Sequence, residues 1–140
     1  MSEIEELKKR GELVVDASLI EIRDAASITL GMMNESQEDD TVVFTAQSAI
    51  CPSQIKAKKI GENRYHVYTT SVCNIKDCTY WLDCVRLDNS RLDAFTRNLE
   101  KITGRKSKIE IHYGWESELA KEDDKLKGIL DRVLERKQEE

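Results

Sequence analysis

The stretch from Thr41 to Thr70 constrains this chain's fold more than any other. Val42, Phe44, Ala46 and Ser48 share one parity within Thr41–Ile50, and Ile55 and Ala57 alternate with Lys56 and Lys58 within Ser53–Ile60. A two-residue period places alternate side chains on opposite faces of a strand. Arg64–Thr70 is rich in Tyr, Val and Thr, which suit a pleated surface. Pro52 has no N–H to give a ladder and so marks the break between the first two strands. Gly61-Glu62-Asn63 reads as a hairpin turn between the second and third. The pattern predicts three antiparallel strands in a meander.

Helices are expected on either side. Residues 3–10 read as a short helical lead-in ending at Gly11, and Leu13-Val14-Val15 as a brief strand. Ser18 and Glu21 stand at capping-box spacing, in which each side chain satisfies the other's otherwise unpaired backbone N–H. Leu19, Ile22, Ala26, Leu30 and Met33 follow at three- and four-residue steps, which predicts a helix from about 18 to 33 closed by the polar run Asn34–Asp40. Asp88–Ser90 offers N-cap residues for a second helix, with a stripe of Leu92, Phe95, Leu99 and Ile102, Lys101 in its last turn and a stop at Gly104. Ile109, Ile111 and Tyr113 alternate as a fourth strand of the main sheet. Residues 116–138 read as an amphipathic helix carrying Leu119, Leu126, Ile129, Leu130, Val133 and Leu134. The order α-β-α-β-β-β-α-β-α predicts an α+β fold: one domain over 1–140, with an antiparallel sheet of four or five strands, helices packed on it, and the 116–138 helix as part of it.

A 140-residue chain is long enough to bury a core without a metal or disulfide. Charged residues make up 35%, above the usual quarter, and this surplus of Lys, Glu and Arg suits the surface ion pairs of a thermophile. The acidic start Met1–Glu6 has no apolar run, so no secretory signal is expected, and no stretch approaches the roughly 20 apolar residues of a membrane span. The expectation is a cytoplasmic protein with reduced thiols and no membrane contact.

The chemistry-bearing pattern is the four cysteines. Cys73, Cys78 and Cys84 fall within one twelve-residue segment, and Cys51 precedes the only proline. Thiolates are strong ligands for zinc and iron–sulfur clusters, and four of them complete one site. The Cys73-x4-Cys78 spacing suits a loop that wraps an ion; Cys78-x5-Cys84 is wider than usual zinc pairs, and no C-x2-C is present. Three readings stay open: a metal site of Cys51, Cys73, Cys78 and Cys84; a redox-switching dithiol; and plain core or a structural disulfide, since Tyr80, Trp81 and Leu82 surround the last two thiols. Lys76 and Arg86 would lower a thiol pKa, while the adjoining Asp77 and Asp83 oppose that shift. The segment fits a strand or a helix equally well.

Charge is unevenly placed. Residues 51–108 carry 12 basic and 6 acidic side chains, within a chain of net charge −5. Lys56, Lys58, Lys59 and Arg64 fall on one expected hairpin, and Arg97, Lys101, Arg105 and Lys106 on the second helix and the turn beyond it. With Tyr65, Tyr68, Tyr80 and Trp81 nearby, these define a candidate single-stranded nucleic-acid surface, against which the acidic pI of 5.2 counts. His66 and His112 each sit in an alternating strand as candidate ligands or proton carriers. Phosphate-loop, H-E-x-x-H and glycine-flanked serine motifs are absent, which weighs against an enzyme. Leu119, Leu126 and Val133 repeat every seven residues and suggest a protein partner or a homodimer through the last helix.

The stretch 64–114, about a third of the chain, also resembles the small-molecule-binding vinyl-reductase-type domain. The likeness lies in a strand, a cysteine segment, a helix ending Leu99-Glu100-Lys101-Ile102-Thr103-Gly104, and a strand from Ile109 to Tyr113. A charged helix stands where that family closes with a Gly-Asp and a cysteine-bearing strand, and no residue roles carry over. Three function classes emerge: a cysteine-centred binding or sensing domain, a nucleic-acid-associated module, and a small ligand binder or enzyme with a pocket between sheet and helices.

Overall fold

Among the described residues, six antiparallel strands form one sheet, in the spatial order Met33–Glu38, Thr41–Ala46, Ser53–Gly61, Arg64–Ser71, Lys9–Asp16, Ile109–Tyr113. The elements of this computed structural model are β1 (Lys9–Asp16), α1 (Leu19–Leu30), β2 (Met33–Glu38), β3 (Thr41–Ala46), β4 (Ser53–Gly61), β5 (Arg64–Ser71), α2 (Trp81–Thr103) and β6 (Ile109–Tyr113). The structure describes residues 9–47, 52–71, 81–107 and 109–113. The lead-in over 1–8 and the helix expected over 116–138 lie outside them. Lys9 and Arg10, read as the end of a helical lead-in, belong to β1.

The meander stands as expected, as does the α+β class. Val42 faces Ala57 and Phe44 faces Ile55 across β3 and β4, and Ala57 faces Val67 across β4 and β5. Together with Leu13 and Val15 of β1, these side chains meet Ile22, Ala25 and Ala26 of α1 and Leu92, Phe95 and Leu99 of α2 in one buried cluster. Burial of the Val, Leu, Ile and Phe side chains among them contributes roughly 1.5–3 kcal/mol each, so this layer holds the helices to the sheet. The second half of the alternation is less polar in environment than its residues suggest. Val43, Tyr68, Thr70 and Glu12, on the face away from the helices, are buried as well.

Three expectations are corrected. The first helix ends at Leu30, not Met33, because Gly31 takes φ 75° and its N–H closes on Ser27 O. Its start is as expected: the Glu21 N–H donates to Ser18 Oγ at 3.2 Å and the Ser18 N–H to Glu21 Oε1 at 2.9 Å. The polar run after it is not a helix-closing loop but strand β2, which turns at Asp39 (φ 55°) and pairs along β3. Aspartate tolerates that left-handed conformation better than most residues. The sheet thereby gains a sixth strand, on its edge, where charged side chains discourage pairing with another sheet. Arg23 ties this strand to α1, donating from Nε and Nη2 to the Glu35 carboxylate at 2.5 and 2.9 Å.

The third correction concerns α2. It begins at Trp81, so Asp88, Asn89 and Ser90 lie inside the helix instead of capping it. Asp88 and Asn89 bond to the sheet: the Asp88 carbonyl accepts from Thr69 Oγ1, and Asn89 Oδ1 accepts from the Gly11 N–H at 3.0 Å. Leu92, Phe95 and Leu99 are buried as expected, while Ile102 is 36% exposed. Gly104 ends the helix with φ 72°, its N–H donating to Glu100 O.

Candidate functional site

Alternation along the core face changes character toward one end of the sheet. On β4 the helix-facing residues run Ala57, Ile55, Ser53; on β5 they run Tyr65, Val67, Thr69. Ser53, Thr69 and Asp88 are each at least 97% buried, so the layer that is hydrocarbon at its centre becomes polar at the Ser53–Ser71 end. Buried polar groups cost free energy unless they are hydrogen-bonded, and departures from apolar patterning gather at functional sites.

Three described elements have an end there: β4 begins, β5 finishes and α2 begins. Ser53 and Ser71 are a cross-strand pair at the start of β4 and the finish of β5. Helix α2 runs antiparallel to β5: Asp88 meets Thr69, and beyond the other end of the helix Arg105 donates to the Asp16 carbonyl at 2.6 Å, beside Arg64. The first turn of α2, containing Cys84, therefore lies past Thr69 at the Ser71 end. Cys51, Cys73 and Cys78 lie outside the described residues, two residues before β4, two after β5 and three before α2. No group of three or more His, Cys, Asp or Glu side chains converges among the described residues.

The histidines separate. His66 pairs with Val14 and His112 with Arg10, on opposite sides of β1 and four residues apart along it. At about 3.4 Å per residue and 4.8 Å per strand, their backbones are roughly 17 Å apart, too far for two imidazoles to share an ion. His66 Nε2 instead lies 3.1 Å from Glu12 Oε2, with Glu12 only 2% exposed. That carboxylate orients the imidazole on the sheet face opposite the helices.

The basic residues also divide. Lys56 and Lys58 project from the face away from the helices, and Lys56 Nζ lies 5.9 Å from the Tyr68 ring centroid. Lys59 is exposed beside the hairpin, its N–H bonded to Asp40 O. Arg97, Lys101, Arg105 and Lys106 line one open cleft of about 350 Å³ at the far end of α2. Arg64 approaches Arg105 through Asp16, which its Nε reaches at 3.7 Å. Acidic Asp16, Asp39, Asp40 and Glu62 are interspersed at this end, so the eight candidate cations occupy two faces and a mixed-charge rim. Residue type made the excess charge legible; only the strand register shows which face each cation takes.

Comparison with family models, curated proteins and solved structures finds no match. The resemblance over 64–114 thus rests on its order of elements alone. Among the described residues, no helix is long and apolar enough to cross a membrane.

Proposed function

We propose that this chain is a cytoplasmic binding or sensing domain whose four cysteines form one site at the Ser53–Ser71 end of the sheet. That site takes zinc or an iron–sulfur cluster, or switches by thiol oxidation. The observation that carries the reading is the meeting of three element ends: the Ser53–Ser71 pair, and the Thr69–Asp88 bond that sets the start of α2 beside it. Chain reach does the rest. Two residues span at most about 7 Å, so Cys51 and Cys73 each stay within that distance of a strand end, and Cys84 lies about 6 Å along the helix from Asp88. Tetrahedral thiolate ligation, with Zn–S near 2.3 Å, fits within that radius. Bound there, a metal would cross-link two strands and a helix, so its loss or oxidation would reach the core through α2. The test is metal and iron–sulfur analysis of protein purified without oxygen, with thiol counting. Substoichiometric metal together with four independently reactive thiols would remove the reading.

The nucleic-acid reading draws on Lys56, Lys58, Lys59, Arg64, Arg97, Lys101, Arg105 and Lys106. Only the last four gather at one cleft. If it holds, binding to a single-stranded oligonucleotide weakens steeply with salt and depends on Lys56 and Lys58 as well as on the helix end. A homodimer through the 116–138 helix would show as a concentration-dependent mass in solution.

A further inference from the structure

The cleft at the end of α2 holds more positive charge than the helix needs. A helix C-terminus carries roughly half a negative charge, and its pull on cations fades beyond the last turn. Lys101 and Arg105 meet that demand. Arg97 lies two turns before the cap and Lys106 two residues past it, yet both line the same cavity. Three contacts organise the site. Arg105 is held in place by its bond to the Asp16 carbonyl, with Glu21 Oε1 3.9 Å away, so its remaining donors have a set direction. The Glu100 carboxylate, the acidic group in the lining, accepts the Ser107 N–H at 3.0 Å. Gly104 has no side chain, and nothing stands within 4 Å of where a Cβ would sit, so the floor stays open.

The ion pairs leave charge available. Arg97 pairs with Asp93 at 2.9 Å, but both side chains are more than half exposed, and such pairs are weak enough to exchange partners. Lys101 and Lys106 are exposed and have no ion-pair partner among the described residues. The cleft is shallow and open to solvent, with room for a small anion lying against Arg105, Lys101 and Lys106. Among the described residues, Lys56 and Lys58 are on the other face of the sheet and so do not extend this cleft into a track along which a polymer would lie.

We propose that this cleft binds a compact, multiply charged phosphate group of the kind a diphosphate carries. Arg105 supplies oriented donors, and Lys101 and Lys106 supply adaptable charge. The cleft lies at the opposite end of α2 from Cys84 and uses none of the four cysteines, so pyrophosphate binding is read separately from thiol chemistry. The test is an NMR titration of the intact chain with inorganic pyrophosphate, repeated with a single-stranded oligonucleotide. Pyrophosphate should shift amides at 97–107 and leave Lys56 and Lys58, on the other face of the sheet, unmoved. The double variant Lys101→Ala/Lys106→Ala, both surface positions, should weaken binding at least about fivefold while keeping the unperturbed spectrum elsewhere; about 1 kcal/mol lost corresponds to that factor. Shifts spread over every lysine-bearing surface, no shifts at all, or binding unchanged in the double variant would overturn the proposal. So would oligonucleotide binding that tightens with length and perturbs Lys56 and Lys58, which would assign the cleft to a polymer.

Discussion

Replacing Thr69 with valine isolates the bond that fixes α2 on the sheet. Thr69 is 1% exposed, and its hydroxyl donates to the carbonyl of Asp88, nineteen residues away. Valine keeps the shape and the strand preference, so the change removes one hydrogen bond and little else. A typical net loss is about 1 kcal/mol, rising toward 2 if the buried carbonyl finds no other donor. For a chain of this size that lowers the melting temperature by about 2–4 °C per kcal/mol. Thr96→Val is the matched control. Thr96 is also buried and also donates to a helix carbonyl, that of Leu92, but within its own helix. Such back-bonding is mildly unfavourable to a helix, so this variant should be neutral within about 0.5 kcal/mol. Urea unfolding of both variants gives the comparison, and hydrogen exchange at residues 86–90 locates the effect. Equal stabilities for the two, or unchanged exchange over 86–90 in Thr69→Val, would refute the claim that this contact anchors the helix.

Other expectations follow the same reasoning. Ser18→Ala removes the acceptor for the Glu21 N–H and should cost about 1 kcal/mol by urea unfolding. The Ser18 backbone N–H holds the Glu21 carboxyl below its usual range, so its contribution is present above the unfolded carboxylate pKa and is lost as pH falls through the lower folded one. Glu21→Gln should accordingly flatten the acid limb of the stability profile. Arg23 acts the same way on Glu35, lowering its pKa through their hydrogen bonds. Arg23→Met should cost no more than about 1 kcal/mol, since the pair is over a third exposed, but should speed amide exchange along β2 selectively. Gly104→Ala should destabilise by about 1 kcal/mol from backbone strain at φ 72° alone, as the added methyl meets no atom.

What could be read in the chain, and what could not, has physical causes. The meander was legible because Val42, Phe44, Ile55 and Ala57 report a buried face at period two, and Gly61-Glu62-Asn63 marks a turn. The start of α1 was legible because capping chemistry is local. Strand β2 was not: Met33–Glu38 has no alternation, and it is a strand through its pairing with β3 and its tether to Arg23. The start of α2 was hidden for a related reason. Asp88, Asn89 and Ser90 are residues that cap helices, but here the Asp88 carbonyl and the Asn89 side chain serve contacts with Thr69 and Gly11, far away in sequence. The cations were countable from the start. Their division between two faces depends on register, and their local neutralisation depends on Asp16 and Asp93, neither of which the cations' own spacing reveals.

The cysteine site is tested most directly by metal protection of the thiols. Protein purified without oxygen is alkylated before and after addition of one equivalent of zinc, and also after cluster reconstitution or mild oxidation, and intact mass counts the modified cysteines. If Cys51, Cys73, Cys78 and Cys84 form one site at the Ser53–Ser71 end, a single metal or cluster protects all four together, or mild oxidation joins them in specific pairs within the chain. Four thiols that react at independent rates, unaltered by zinc or cluster and unpaired by oxidant, would contradict the account.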